Sequence, residues 1–297
     1  MKTTTTLAKT ASSYHHWTFA SLAVLSSLFS WKLIGELCSY SFTHESSSHI
    51  ILIPFVTFGL VYLHRGKIFH SARTSLATGV PIIAAGSAIY LIAQLRWPAN
   101  EGNGLLSAGG FALVVMWIGC FVLAYGPAAT RQAAFPLLFL LLMVPFPDFV
   151  LSHIVYQLQI GSTELTYLIF KLAHVPVLRQ GFVLAIPGVT IEVAKECSGI
   201  RSSMALFITS LLAGHLFLRS RMKIFIFVLL VVPVAIIKNA IRIATLTLLS
   251  VYVDPGFLTG NLHHEGGFLF FILALVILAP VLFFMERQER LSQLQSR

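Results

Sequence analysis

Charge is scarce in this 297-residue sequence, in which only 10% of the residues are Asp, Glu, Lys or Arg and only 11 are acidic. An average soluble chain carries about 25% charged residues, so an ordinary soluble enzyme and a charge-rich disordered protein are both excluded. Cysteine is scarce as well. The three cysteines, Cys38, Cys120 and Cys197, are too few for the disulfide framework of a small secreted protein.

Apolar residues, by contrast, are abundant, since 57% of the chain is hydrophobic and 24 residues are Phe. A compact soluble fold cannot hide that much apolar surface, whereas a lipid bilayer accepts it. The net charge of +9 does not indicate a nucleic-acid partner, because the basic residues lie in short loops between apolar runs and not on one face. The composition therefore predicts an all-α polytopic membrane protein.

The long apolar runs predict where the chain crosses the membrane. A helix needs about 20 predominantly apolar residues to span the hydrocarbon. The first run lacks a convincing cleavage site and is interpreted as a retained span. In all, the pattern predicts about eight transmembrane helices, at residues 17–34, 48–63, 78–95, 104–125, 133–147, 200–218, 224–243 and 267–285.

The segment between the fifth and sixth spans follows a different pattern. Residues 150–171 mix apolar with polar side chains, which predicts a helix lying in the interface or against the bundle. After a Pro187-Gly188 turn, Val189, Ile191 and Val193 alternate with polar residues. This alternation predicts a small β-hairpin outside the hydrocarbon.

The distribution of basic residues predicts the orientation. With the N-terminus in the cytoplasm, the cytoplasmic segments hold twelve bases and two acids, a net charge of +10. The outer segments then hold eight bases and nine acids, a net charge of −1. The positive-inside rule favours this arrangement, so we expect both termini in the cytoplasm and the hairpin outside it.

These predictions describe one integral membrane domain, 1–297. It comprises five spans, an extracytoplasmic segment, three further spans and a cytoplasmic tail, at 1–147, 148–199, 200–285 and 286–297 respectively.

The first candidate for chemistry is Cys197, which lies where the hairpin ends and the sixth span begins. The free N–H groups and positive dipole of a helix N-terminus favour a thiolate, and Arg201 adds a positive charge one turn further on. A thiolate is a nucleophile that needs little activation. The alternatives are an inert buried cysteine or a disulfide with Cys38. Cys120 lies in mid-span without polar neighbours and is interpreted as a packing residue.

The second candidate is the pair Lys238 and Arg242, which share a face of the seventh span, with Asn239 beside them. The 19 residues from Lys223 to Arg242 correspond to about 28 Å of helix, so Arg242 is expected near the outer boundary, level with Cys197. Its guanidinium could stabilise an oxyanion. The alternative is that these side chains extend towards the interface without a chemical role.

The third candidate is the cluster His263, His264 and Glu265, which precedes the eighth span. A histidine here could act as general base and acid, or the pair could simply lie in the interface. The spacing does not place two ligands at i,i+4 on a helix, so no metal is expected. The predicted topology brings all three candidates to the outer face, where they could form one Cys–Arg–His site.

In three blocks between Pro187 and Leu275, the sequence resembles the exosortase/archaeosortase family of membrane cysteine transpeptidases. These blocks are Cys197-Ser198-Gly199, an Asn-x-x-Arg block from Asn239 to Arg242, and a histidine followed by Gly267-Phe268. The resemblance implies that Cys197 is the nucleophile, Arg242 the oxyanion stabiliser and the histidine the acid/base. The family places the histidine four residues before the Gly-aromatic pair, which favours His263 over His264.

The resemblance also implies a substrate and a location. Family members are thought to cleave C-terminal sorting signals, each made of a Pro-Glu-Pro motif, a transmembrane helix and a basic tail, and to pass the protein to an acceptor. This implies a thiol protease, without a cofactor, that sorts proteins in the cell inner membrane in connection with exopolysaccharide. The resemblance favours a Gram-negative bacterium and leaves an archaeal origin open. The expected substrate contacts are Glu196, Arg201, Lys238 and Asn239.

Two other functions remain open on the residues alone. The cationic side chains and the histidine pair could bind an anionic solute in a transporter, with a helix break near Pro233. The chain could also be a membrane transferase of exopolysaccharide export in which a histidine is catalytic. Loss of activity after alkylation of the cysteines would argue against the transporter. A Cys197→Ser substitution that leaves activity nearly unchanged would favour the transferase.

Overall fold

The computed structural model of the chain describes residues 2–97, 103–194, 199–258 and 267–295. Within these ranges, twelve α-helices and three β-strands form two compact units, Met1–Val150 and Leu151–Arg297. The prediction of a single membrane domain stays a prediction.

Helices dominate the first unit. They are α1 (Lys2–Phe29), α2 (Trp31–Thr43), α3 (Leu52–Leu63), α4 (Arg65–Ile68), α5 (Leu76–Arg96), α6 (Gly104–Gln132), α7 (Ala134–Phe139) and the start of α8 (Asp148–Leu172). Short 3₁₀ turns lie at Glu45–Ser47, Phe69–Ser71 and Leu140–Met143.

Glycines bring α5 and α6 close together. A Cβ atom on Gly86 would lie 2.7 Å from the Met116 side chain, and one on Gly119 would lie 2.8 Å from the backbone nitrogen of Ile83. Small residues at a helix–helix contact are typical of membrane bundles, where close van der Waals packing replaces the hydrophobic effect.

Two helix starts in the first unit cap each other. The Asn103 N–H donates to the Asp148 carboxylate at 3.1 Å, and the Asp148 N–H donates to Asn103 Oδ1 at 3.0 Å. The Asn103 amide also donates to the Phe146 carbonyl at 2.7 Å. Donors at the starts of α6 and α8 are thereby satisfied.

The second unit contains the rest of α8, a small sheet and the last four helices. The strands are β1 (Leu178–Gln180), β2 (Val183–Ile186) and β3 (Val189–Glu192), paired antiparallel in that order. The helices are α9 (Ile200–Phe217), α10 (Arg221–Leu229), α11 (Val231–Tyr252) and α12 (Gly267–Gln295), and a 3₁₀ turn lies at Pro255–Leu258.

Two apolar clusters hold this second unit together. Leu184 and Ile186 of the sheet pack with Phe170 of α8 and Ala244 of α11. The four last helices share a separate cluster that contains Leu206, Leu218, Phe227, Val231, Val234, Ala274 and Leu278.

The structure confirms the prediction of an all-α polytopic membrane protein. Five of the described helices are long and apolar enough to cross a membrane, and the number reaches seven if each of two bent helix pairs is one span. The predicted helix at 150–171 and the Pro187-Gly188 hairpin are present. Their positions relative to the membrane stay predictions.

The structure differs from the predicted spans in three places. The first span is a pair of helices, α1 and α2, bent by 78° at Ser30. The second contains only twelve helical residues, because polar Ser48 and His49 precede it. In the fifth, the α-helix ends at Phe139 and a 3₁₀ turn continues to Met143, just before Pro145 and Pro147. The sheet also has a third strand, β1.

The C-terminal part of α12 is hydrogen-bonded to the loop between α9 and α10. The Glu289 carboxylate accepts the N–H groups of Arg219 at 2.9 Å and Ser220 at 3.0 Å, although Glu289 is only 8% exposed. Since Ser220 precedes the first residue of α10, the carboxylate also lies favourably at a helix N-terminus.

We predict that Glu289→Ala lowers the free energy of unfolding by about 2 kcal/mol, because the buried carboxylate accepts two charge-assisted hydrogen bonds from backbone N–H groups. Glu286→Ala is the matched control, since Glu286 forms an ion pair with the exposed side chain of Arg290 and such pairs contribute less than about 1 kcal/mol. Thermal unfolding of both variants in one detergent measures the difference. Equal losses would contradict the assigned role of Glu289.

Candidate active site

The structure describes half of the predicted site residues. The described ones are Arg201, Lys238, Asn239 and Arg242, whereas Glu196, Cys197, His263 and His264 lie outside the described residues.

Gly199, the last residue of the Cys-Ser-Gly block, forms the start of α9. Its φ of 69° lies in the left-handed region that favours glycine. Its carbonyl accepts hydrogen bonds from the hydroxyls of Ser202 at 3.1 Å and Ser203 at 2.8 Å. The first turn of α9 is therefore tied to the residue that ends the block.

The Asn-x-x-Arg block of α11 meets Gly199. A Cβ atom on Gly199 would lie 2.9 Å from Asn239 Oδ1 and 3.3 Å from Lys238 Nζ. Lys238 Nζ donates a hydrogen bond to the Ser202 hydroxyl. Both side chains are buried, with 1% of Lys238 and 0% of Asn239 exposed. Gly199 of the first block thus lies directly beside the start of the Asn-x-x-Arg block.

Arg242 lies one turn beyond Lys238 on α11 and is half-buried. The two like charges act on each other electrostatically. Arg201, by contrast, is exposed on the first turn of α9. Positive charge is therefore concentrated beside the start of α9, where it could stabilise an anion.

A polar stripe on α8 supports this arrangement from the other side. Asn239 Nδ2 donates to the Ser162 hydroxyl at 3.0 Å, and the Thr166 hydroxyl lies 3.5 Å from the Ala240 carbonyl. The Gln159 amide donates to the carbonyl of Val193, just after β3. The stripe consists of the buried residues Gln159, Ser162, Thr163 and Thr166.

The predicted site residues did not include this stripe. Its members are spaced i, i+3, i+4 and i+7, which places them on one face of a helix. That spacing was a usable signal. These four polar side chains are buried in the second unit, and Gln159 and Ser162 form hydrogen bonds with groups outside α8.

The described residues include no group of three His, Cys, Asp or Glu side chains that could hold a metal ion. What they do offer is two cations and an amide carried by one helix. Such an arrangement can bind and stabilise negative charge.

We predict that Gly199→Ala impairs the protein more than Gly181→Ala. Both glycines have a positive φ, so alanine costs about 1–2 kcal/mol of backbone strain at either position. Only at Gly199 would the new Cβ collide, with the Asn239 side chain, whereas Gly181 faces open space. Thermal unfolding of both variants in one detergent measures the difference, and equal effects would show that the contact with Asn239 is unimportant.

Comparison with known proteins gives one match. A family model described as transmembrane exosortase matches residues 40–280. The comparisons with curated proteins and with solved structures found no match. The matched range includes Gly199, the Lys238–Arg242 segment and the polar stripe of α8.

Proposed function

The chain belongs to the transmembrane exosortase family, a family of membrane transpeptidases, and we propose that it is a cysteine-dependent protease/transpeptidase with Cys197 as nucleophile. The observation that carries this proposal is the contact of Lys238 and Asn239 with Gly199. This contact brings together the Cys-Ser-Gly block and the Asn-x-x-Arg block, which lie about 40 residues apart in the sequence. The proposed reaction needs the nucleophile of the first block beside the arginine of the second.

Chain geometry supports the assignment of Cys197. Two residues of extended chain reach at most about 7 Å, so Cys197 cannot lie far from Gly199 and its neighbours. The Lys238 ammonium beside Gly199 adds positive charge to this neighbourhood. Positive charge favours the thiolate over the thiol, and the thiolate is the reactive form.

Arg242 is the proposed oxyanion stabiliser. In the first step the Cys197 thiolate attacks a peptide carbonyl carbon, so that a C–S bond forms and the carbonyl oxygen becomes an anion. The guanidinium donates hydrogen bonds to that oxygen. The anion then collapses, and the peptide C–N bond breaks to leave a thioester on Cys197.

His263 is the proposed acid and base, with His264 as the alternate. It gives a proton to the leaving amine and then takes one from the acceptor, which attacks the thioester carbonyl. The C–S bond breaks, and the thiolate is restored. The acceptor is water in hydrolysis or a nucleophilic group of another molecule in transfer.

The proposed substrate is a membrane-anchored protein with a C-terminal sorting signal made of a Pro-Glu-Pro type motif, a transmembrane helix and a basic tail. Its helix would deliver the scissile bond at the depth of the site and make the encounter nearly intramolecular. Arg201 and Glu196 are proposed to contact the motif, together with Lys238 and Asn239. The site would face the outside of the cell inner membrane, in a pathway linked to exopolysaccharide.

We predict that Cys197→Ala abolishes shortening of a reporter ending in this sorting signal, measured on a gel after co-expression in membranes. Cys38→Ala is the matched control, because Cys38 is a free and partly accessible thiol, and it should leave shortening intact. The same assay decides between His263 and His264, since alanine at the catalytic histidine should abolish shortening and alanine at the other should not. Shortening that persists in Cys197→Ala would overturn the nucleophile assignment.

We predict that Arg242→Gln slows processing by about 10²–10³-fold, the usual loss when one oxyanion donor is removed. Arg201→Gln is the control, since Arg201 is an exposed arginine near the same helix start, and it should slow processing much less. Single-turnover rates with saturating reporter separate loss of chemistry from loss of binding. Equal losses in both variants would argue against a special role for Arg242.

A further inference from the structure

The first unit contains a large apolar cleft that the proposed reaction does not use. Its volume is about 1100 Å³, and α1, α3 and α6 contribute much of its wall. Pockets that hold small molecules usually measure about 300–1,000 Å³, so this one can hold a large ligand. Small side chains such as Ala20 and Ala23 on α1 leave the space, and aromatic ones such as Phe58 and Phe121 line it.

One end of the cleft is polar and cationic. Arg65 lines it there, with its guanidinium 4.1 Å from the centre of the Tyr62 ring and a hydrogen bond of 3.0 Å to the Tyr62 carbonyl. His16 and Tyr125, which also line the cleft, are joined by a hydrogen bond of 2.8 Å. No carboxylate is found among the described lining residues, so the charge of this end suits an anion.

The length of the cleft suits one leaflet of a bilayer. Its lining on α1 extends from His16 to Leu28, which corresponds to about 18 Å of helix. Trp31 and Ile34 continue the lining on α2, which is bent by 78° from α1. The hydrocarbon core of a bilayer is about 30 Å thick, so a single leaflet contributes about half of that. A transmembrane helix from another protein would need the full thickness.

We propose that this cleft binds an anionic phospholipid, with an acyl chain of the lipid beside α1 and its phosphate at Arg65. Arg65 belongs to a segment with Lys67 and Arg73, which is predicted to lie on the cytoplasmic side. Basic pockets between transmembrane helices on that side are a known way to hold anionic headgroups. Apolar walls for chains and a cation at one end match the two halves of such a lipid.

Trp117 provides a direct probe, because it lines the cleft and its Nε1–H donates to the Ser27 hydroxyl at 3.2 Å. The full chain would retain Trp117 alone, with the other three tryptophans changed to Phe, in nanodiscs of phosphatidylcholine. Phosphatidylglycerol or phosphatidylcholine with brominated acyl chains is then added, and quenching of Trp117 fluorescence is measured. We expect phosphatidylglycerol to half-quench at an about fivefold lower mole fraction, as one basic side chain at an anionic surface would give.

Arg65→Gln should remove this preference, and Arg65→Lys should retain most of it. Arg131→Gln is the matched control, because Arg131 is exposed at the end of α6 and does not line the cleft. Ala23→Phe should fill the cleft and reduce quenching by both lipids. Equal quenching by the two lipids, quenching by neither, or an unchanged preference in Arg65→Gln would each overturn the proposal. The readout does not depend on Cys197, so it can be made in a Cys197→Ala background.

Discussion

The contact between the start of α9 and the middle of α11 is the interaction on which the candidate site depends. Gly199 adopts a left-handed conformation and has no side chain, so the Asn239 amide and the Lys238 ammonium can approach its backbone. A larger residue would place its Cβ 2.9 Å from Asn239 Oδ1, so the Asn239 side chain would have to shift. Because of this close approach, Gly199 of the Cys-Ser-Gly block lies beside the Asn-x-x-Arg block.

Burying a lysine and an asparagine in a membrane bundle costs free energy unless polar groups form hydrogen bonds with them. Here Ser202 accepts a hydrogen bond from Lys238, and Ser162 of α8 accepts one from Asn239. The stripe on α8 therefore has a structural purpose. It lets α11 carry cationic and amide groups through an otherwise apolar segment and hold them against the start of α9.

Much of the arrangement of α11 could be predicted from the sequence, because it depends on the helical periodicity of neighbouring residues. Helical spacing places Lys238 and Arg242 on one face, and the length of helix from Lys223 predicts that Arg242 lies level with the Cys-Ser-Gly block. The stripe on α8 was missed, although its spacing is visible, because polar residues in an apolar segment do not show what they face. The bend at Ser30 has no proline or glycine at that position, and β1 has only three residues, so packing decides both.

The most direct test of a shared site is thiol cross-linking between Cys197 and a cysteine placed at Arg242, with Cys38 and Cys120 changed to Ser. A short bifunctional thiol reagent would be added to membranes, and the joined peptides would be identified by mass spectrometry after digestion. Ile237→Cys is the control, because Ile237 is 38% exposed on the same helix. The account predicts a cross-link from Cys197 to position 242 and none to position 237. A cross-link to 237 alone, or to neither position, would contradict it.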